Sequence, residues 1–293
     1  MFKGSITAIV TPFKNGKVDE KTFRNLIDFQ VKNKTSAIVP CGTTGESATL
    51  TFQEHERVIE IAIEQAKKRI PVIAGTGSNS TAEAIMLTQT AAKAGADASL
   101  QVAPYYNRPT QKGLYEHFKA VADSVKIPIL LYNIASRTGV NIEPETIAKL
   151  AGACKNIVAV KEASGNLEQM SRVKLLCPNN FILLSGDDAL TLPVLGIGGS
   201  GIVSVVSNII PQDVAEMVDA FAKGNIKKAQ ELHYRMLPLI KAIFIETNPI
   251  AVKTAMGLLG MCDPGLRLPM TAMLPENLEK LKAALKEYGL LNR

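Results

Sequence analysis

The sequence predicts a (β/α)8 TIM barrel with a C-terminal helical extension. Short aliphatic or β-branched runs alternate with longer amphipathic stretches, and there are eight such runs. Each run is apolar throughout rather than alternating in polarity, as a strand buried on both faces must be. Eight β/α units in about 220 residues point to a closed parallel barrel rather than an open sheet. An open doubly wound sheet would carry a glycine-rich phosphate turn after its first strand. Here that strand runs into Thr11-Pro12-Phe13.

Ile6–Val10 is the first strand, and Asp19 opens a helix to about Lys34. Ala37–Pro40 follows, with Thr51 and Glu54 at capping-box spacing before the second helix. Pro71–Ala74 is third; Ser80 and Glu83 repeat the box, and Gly95 stops that helix. Ala98–Val102, Pro128–Tyr132 and Ile157–Val160 come next, with Pro144 placed in a first helical turn. Phe181–Leu184 and Gly201–Val205 complete the set, and Pro211 and Gly224 bracket the next helix. Beyond Gly224 the strands stop, and residues 225–245, 249–260 and 275–287 read as helices, Pro249 opening the second. Arg267-Leu268-Pro269 interrupts that run. No Gly/Ser- or Pro-rich linker intervenes. A catalytic barrel, 1–224, and a helical domain, 225–293, are therefore expected to pack together.

The chain has 293 residues, 46% of them hydrophobic, which is enough for a sizeable core. Its net charge of +6 is dispersed, with Lys67-Lys68-Arg69 the densest patch. Without Trp, and with 5% aromatics, this is not a nucleic-acid-binding pattern. Cys41, Cys154, Cys177 and Cys262 form no C-x-x-C pair and have no His at ligand spacing. That argues against a metal site and fits a reduced, cytoplasmic setting. No apolar signal core opens the chain and no membrane-length apolar run occurs. The partners expected are small molecules, with no nucleic acid, membrane or cofactor.

In such a barrel the loops after the strand C-termini build the active site. Cys41-Gly42-Thr43-Thr44-Gly45-Glu46-Ser47 is a tight hydroxyl-rich turn. It fits either a carboxylate-binding turn with free backbone N–H groups or an ordinary βα loop. Tyr105-Tyr106-Asn107 ends the fourth strand and Tyr132-Asn133 the fifth, before Ser136-Arg137-Thr138-Gly139. A guanidinium there can clamp a carboxylate at two points. The sharpest signal is Lys161, at the end of the apolar run Ile157–Val160. Directed into the barrel, an ammonium loses solvation, which favours the neutral amine that attacks carbonyls. The alternative is a lysine that snorkels to the rim. Asp187-Asp188 can suggest Mg²⁺, but Asp188 fits better as the cap of a helix starting at Ala189. Gly196-Ile-Gly198-Gly-Ser-Gly201 matches a dinucleotide fingerprint only literally. It follows a helix and opens a strand, the reverse of what that motif needs.

With Gly42–Glu46, Tyr105–Asn107, Tyr132-Asn133, Val160–Glu162, Gly186–Asp188, Glu246–Ile250 and Arg267–Pro269 in order, the chain resembles the dihydrodipicolinate synthase/N-acetylneuraminate lyase family over essentially its whole length. The Thr43-Thr44 pair and the Ser136–Gly139 string favour the synthase branch. The sialic acid branch has Ser-Thr at the pair and no such Arg.

The resemblance implies condensation of pyruvate, as a Schiff base on Lys161, with L-aspartate 4-semialdehyde. The product would be 4-hydroxy-tetrahydrodipicolinate, on the diaminopimelate route to lysine. Tyr132 would be the acid/base, linked through Thr44 to Tyr106 of a neighbouring subunit. Thr43 would hold the pyruvate carboxylate, Arg137 the semialdehyde carboxylate, and Gly186 and Ile202 would offer backbone contacts. A homotetramer, as a dimer of dimers, is also implied. So is an inhibitory lysine pocket of Ser47, Ala48, His55, Asn79, Glu83 and Tyr105, with Phe52 where inhibited enteric-type members carry His. Ala135 departs from the family, which usually has Pro, and this should loosen the loop before Arg137. The alternatives are an N-acetylneuraminate lyase or a 2-keto-3-deoxy sugar acid aldolase, whose polyol substrates have no use for Arg137. A non-catalytic acid sensor is the alternative from another class.

Overall fold

The computed structural model describes residues 2–292. Eight strands form the barrel: β1 Gly4–Ala8, β2 Ala37–Val39, β3 Ile73–Gly75, β4 Ala98–Val102, β5 Ile129–Asn133, β6 Ile157–Glu162, β7 Ile182–Ser185 and β8 Gly201–Ser204. Neighbouring strands pair in parallel, in the order β2-β1-β8-β7-β6-β5-β4-β3. A parallel bridge between Ile38 and Val72 closes the ring. The fold is thus the predicted (β/α)8 barrel. The glycine string before β8 serves its closure: a Cβ on Gly201 would lie 2.1 Å from the Gly4 carbonyl oxygen.

The helices outside the barrel are α1 Glu20–Lys32, α2 Phe52–Ala66, α3 Thr81–Ala94, α4 Gln111–Ser124, α5 Pro144–Ala153, α6 Leu167–Leu176, α7 Thr191–Gly196 and α8 Pro211–Ala222. Their ends follow local chemistry. Asp19 caps α1, and Thr51 with Glu54 forms a complete capping box on α2. The second expected box is only half made. Ser80 accepts from the Glu83 amide, while the Glu83 carboxylate turns to the Ser78 hydroxyl. Pro144 and Pro211 occupy first turns, and Gly95 takes the left-handed cap at φ 101°.

Three helices follow: α9 Ile226–Ile243, α10 Ile250–Leu258 and α11 Pro275–Tyr288. Pro249 stands just ahead of α10 rather than within its first turn. One apolar cluster joins barrel residues such as Ile9, Val58 and Ile61 to Leu232, Met236 and Leu281 of the tail. A small hairpin, Phe13–Lys14 with Lys17–Val18, was not anticipated. Its signal was present: Asn15-Gly16, both at positive φ, is a strong two-residue hairpin turn.

The tail docks on the barrel mouth through a buried ion pair. Lys253 Nζ lies 2.7 Å from Glu46 Oε1, and the two side chains are 0% and 2% exposed. The ammonium also donates to the carbonyls of Thr11 and Gly265, and sits 4.3 Å from the Phe13 ring centroid. Burial pushes the Lys253 amine below its ordinary range, and Glu46 opposes that shift. The other Glu46 oxygen accepts from the Arg267 amide at 3.1 Å. The Arg267 guanidinium in turn grips Glu54 and the Thr49 carbonyl. Replacing Lys253 by Met strands a buried carboxylate and should cost about 3–5 kcal/mol in urea unfolding. Removing the exposed Arg24–Glu64 pair with Arg24→Ala should cost under about 1 kcal/mol.

Candidate active site

Lys161 is on β6, directly paired with Tyr132 on β5. Its inward direction is set by an irregularity in that pairing. Ile129 faces Ile157, but the next residue, Leu130, faces Ala159. Val158 and Ala159 both pack on the inner barrel cluster, whereas Ile157 and Val160 belong to the outer one. This β-bulge reverses the alternation and turns Lys161 inward and Glu162 outward.

Lys161 is 5% exposed and makes no ion pair among the described residues. Its Nζ lies 4.0 Å from the Tyr132 ring centroid. With Tyr132, Thr43, Ser47 and the backbone of Gly75 and Gly77 it lines a chamber of about 50 Å³. Gly186 lies against the lysine stem. A Cβ there would meet Lys161 Cε at 3.2 Å and Ala163 Cβ at 2.7 Å, so only glycine leaves the lysine room.

Glu162, fully buried, anchors the strand from outside. Its carboxylate accepts from Asn133 Nδ2, Gln169 Nε2 and the Ser164 amide at 2.8 to 3.2 Å. Asn133 also takes the Ile142 amide at 2.9 Å, which ties β5 to the chain beyond Arg137. A buried network satisfied this fully fixes the strand ends that carry Tyr132 and Lys161.

The Gly42–Ser47 turn is less open than its sequence promised. The N–H groups of Gly45, Glu46 and Ser47 are taken up by carbonyls within the turn. Those of Thr43 and Thr44 make no hydrogen bond among the described residues. Thr44 is buried, and its hydroxyl accepts from Asn248 Nδ2 at 3.0 Å. Within the single chain no hydrogen bond joins Thr44 to Tyr132 or Tyr106. Tyr106 is 91% exposed and lies at φ 70°.

Arg137 sits in a one-turn helix, Ala135–Thr138, and its Nη2 donates to the Asn248 carbonyl at 3.1 Å. Ala135 opens that turn, whose end is fixed by Gly139 at φ 73° and by the Thr138 hydroxyl bonding Ile134 and Val140. The loop is therefore held from its far side in spite of Ala135. Arg137 and Thr43 also line a larger cavity of about 620 Å³. Ser47, Ala48, His55, Glu83 and Tyr105 line the same cavity, with Phe52 at its edge. Asn79 does not line it but donates to the Tyr105 carbonyl at 3.2 Å.

One expectation needs correction. The cap before Ala189 is Asp187, not Asp188. Asp188 is buried between β7 and β8, where its carboxylate takes the Ser204 hydroxyl and the Val205 amide. Burial pushes its carboxyl up to about 6. The Gly186 amide donates to the Glu162 carbonyl at 2.7 Å. Ile202 is buried in the ladder between Ser5 and Ser185 and is not part of the chamber wall. Asn248, Asn133 and Lys253 had drawn no individual role from the sequence; the partners of Asn248 and Lys253, Thr44 and Glu46, are distant along the chain.

Comparison with known proteins adds a consistent result. The family model described as Dihydrodipicolinate synthetase family matches residues 1–288. A curated relative from Syntrophus aciditrophicus, named 4-hydroxy-tetrahydrodipicolinate synthase, is 60% identical over 291 residues, covering 99% of this chain and 100% of the relative. The crystal structure of dihydrodipicolinate synthase from Aquifex aeolicus is 54% identical and superposes with a TM-score of 0.98 over 99% of each chain. A structure from Cyanidioschyzon merolae, described as having lysine bound, is 46% identical with a TM-score of 0.96 over 99% of each chain.

Proposed function

The chain belongs to the Dihydrodipicolinate synthetase family, and from that premise we propose that it condenses pyruvate with L-aspartate 4-semialdehyde to give 4-hydroxy-tetrahydrodipicolinate, the step that feeds the diaminopimelate route to lysine. The observation that carries the reading is the amine of Lys161, enclosed beside a phenol with no carboxylate to pair it. The lyase and sugar-acid aldolase alternatives give way to it, since the curated relatives are named for the synthase reaction. Residues 1–224 form the catalytic barrel and 225–293 a helical domain.

The Lys161 amine adds to the pyruvate ketone and water leaves, giving an imine. Loss of a methyl proton gives the enamine, whose carbon attacks the semialdehyde carbon. The amine of the second substrate then attacks the imine carbon, closes the ring and releases Lys161. Thr43, with unengaged N–H groups beside it, is suited to hold the pyruvate carboxylate, and Gly186 and Ile202 are suited to offer backbone contacts near Lys161. Arg137, exposed on the larger cavity, is suited to the semialdehyde carboxylate. Tyr132 handles the protons at the imine. A phenol is a poor base at neutral pH, so a relay through Thr44 to a neighbour's Tyr106 assists it.

Trapping tests this directly. Incubation with pyruvate followed by borohydride should leave the reduced adduct on the Lys161 peptide, and Lys161→Arg should abolish it. An adduct on another lysine, or none, removes the assignment. Arg137→Ala should keep the adduct and raise KM for the semialdehyde by about tenfold or more, the loss of one charge-assisted contact.

Tyr106 is 91% exposed and free to reach a neighbour, and the resemblance implies that the active form is a homotetramer built as a dimer of dimers. Sedimentation should find that assembly at assay concentrations; an active monomer would refute it. Ser47, Ala48, His55, Glu83 and Tyr105, with Asn79 bracing Tyr105, form an inhibitory lysine pocket continuous with the active-site mouth. Added L-lysine should lower the rate, and a flat curve would reject the pocket. Among the described residues no helix is long and apolar enough to cross a membrane, and the four cysteines are unpaired. A cytoplasmic enzyme fits both.

A further inference from the structure

Glu46 is the one charged residue of the Gly42–Ser47 turn, and it is buried with its backbone left-handed at φ 54°. A glycine adopts this backbone without strain, whereas a glutamate is uncommon there. The Glu46 amide donates to the Thr43 carbonyl at 3.1 Å, which ties the two residues together. What the glutamate adds is a handle. Lys253 Nζ, on α10, donates to Glu46 Oε1 at 2.7 Å and to the Thr11 carbonyl at 3.0 Å. The Thr11 hydroxyl donates in turn to the Gly45 carbonyl at 2.7 Å. The ammonium therefore holds the turn twice, through the Glu46 side chain and through Thr11. Its remaining proton goes to the Gly265 carbonyl at 2.6 Å, so no donor is left over.

A buried ion pair is a poor way to gain stability, since well-packed apolar side chains in its place often do as well or better. The turn that this pair fixes is part of the reaction chamber: Gly42, Thr43 and Ser47 line it with Lys161 and Tyr132. The Thr43 amide makes no hydrogen bond among the described residues. We propose that Lys253 is a positioning residue for the 2-oxo acid. Through Glu46 and Thr11 it holds the turn in the shape that sets Thr43 on the chamber wall, and so raises the affinity for pyruvate without touching it. Arg137 stands on a separate turn, Ala135–Thr138, and its hydrogen bond goes to Asn248 rather than to the pair, so the second substrate should be little affected. The proposal rests on reading Thr43 as the holder of the pyruvate carboxylate and Lys161 as the amine.

Lys253→Met alone strands the Glu46 carboxylate, so the test uses Glu46→Gln/Lys253→Met, which leaves no buried charge at this site and should fold. The pyruvate concentration that half-saturates borohydride trapping on Lys161 should rise about tenfold, the size of one well-made hydrogen bond, and KM for pyruvate should rise with it. At saturating pyruvate, kcat and KM for the semialdehyde should stay within about threefold, the pattern of lost binding rather than lost chemistry. A merely structural role would lower the fraction of chains that can be trapped and leave the half-saturating concentration unchanged. Thr43→Ala should raise that concentration too, and should add little on the background of the pair variant, since both act on one contact. An unchanged half-saturating concentration in the pair variant, or effects of the two changes that multiply, would overturn the proposal. If the pair variant does not fold, Glu46→Gln alone takes its place, because it keeps the shape of the side chain and loses only its charge. Two other results strike the underlying reading and take the proposal with it: no pyruvate adduct on Lys161 in the wild-type protein, or unchanged half-saturation in Thr43→Ala.

Discussion

A primary amine held inside a ring of aliphatic side chains, with no carboxylate to neutralise it, is the constraint around which the molecule is arranged. Lys161 is followed in sequence by a carboxylate, Glu162, that could pair with it anywhere else. The pleat prevents this by sending successive side chains to opposite faces. The bulge at Val158 and Ala159 then decides which of the two goes inward. Glu162 is committed to Asn133, Gln169 and the Ser164 amide, so its charge is satisfied without reference to the lysine. One strand thus supplies both the amine and the anchor that holds it, and keeps them apart.

The second consequence concerns the tail. A barrel strand ends in a loop, and loops are the mobile part of such folds. Here the Gly42–Thr49 loop is clamped from outside. Glu46 sits in the left-handed region at φ 54°, an uncommon conformation for a side-chain-bearing residue. Lys253 and the Arg267 amide hold both oxygens of its carboxylate. Phe13, from the small hairpin, covers Lys253 and Arg267 with its ring face. The helical extension therefore acts as the frame for the turn that carries Thr43 and Thr44.

What could be read from the sequence follows the range of the forces involved. Continuous apolar runs and caps are local, so the eight strands and the ends of α1, α2, α3, α5 and α8 were legible. The hairpin at Asn15-Gly16 was equally local and was overlooked because its strands are two residues long. The cap at Asp187 was displaced by one position, since two adjacent aspartates offer the same chemistry and only β8 decides which is buried. The bulge was not legible at all. Strict alternation from Ile157 would put Lys161 outside, and nothing in Ile-Val-Ala-Val announces the extra residue. Asn248 and Arg267 stood in recognisable strings and Lys253 in none, but all three have partners more than 200 residues away, beyond any periodicity argument.

Strand β4 ends in a loop, from Ala103, whose form makes little sense in one chain. Tyr106 at φ 70° and Arg108 at φ 44° are both left-handed, and Asn79 and Asn107 brace the loop through backbone carbonyls. The result presents a nearly fully exposed phenol to solvent. Backbone strain that gains no internal contact is retained where something outside the chain compensates it. Under the proposed reading, that compensation is the neighbour's relay, which lacks a terminal phenol of its own. Association and catalysis then share one free energy. Whatever stabilises the contact also completes the proton path, and dilution that separates the chains removes both together.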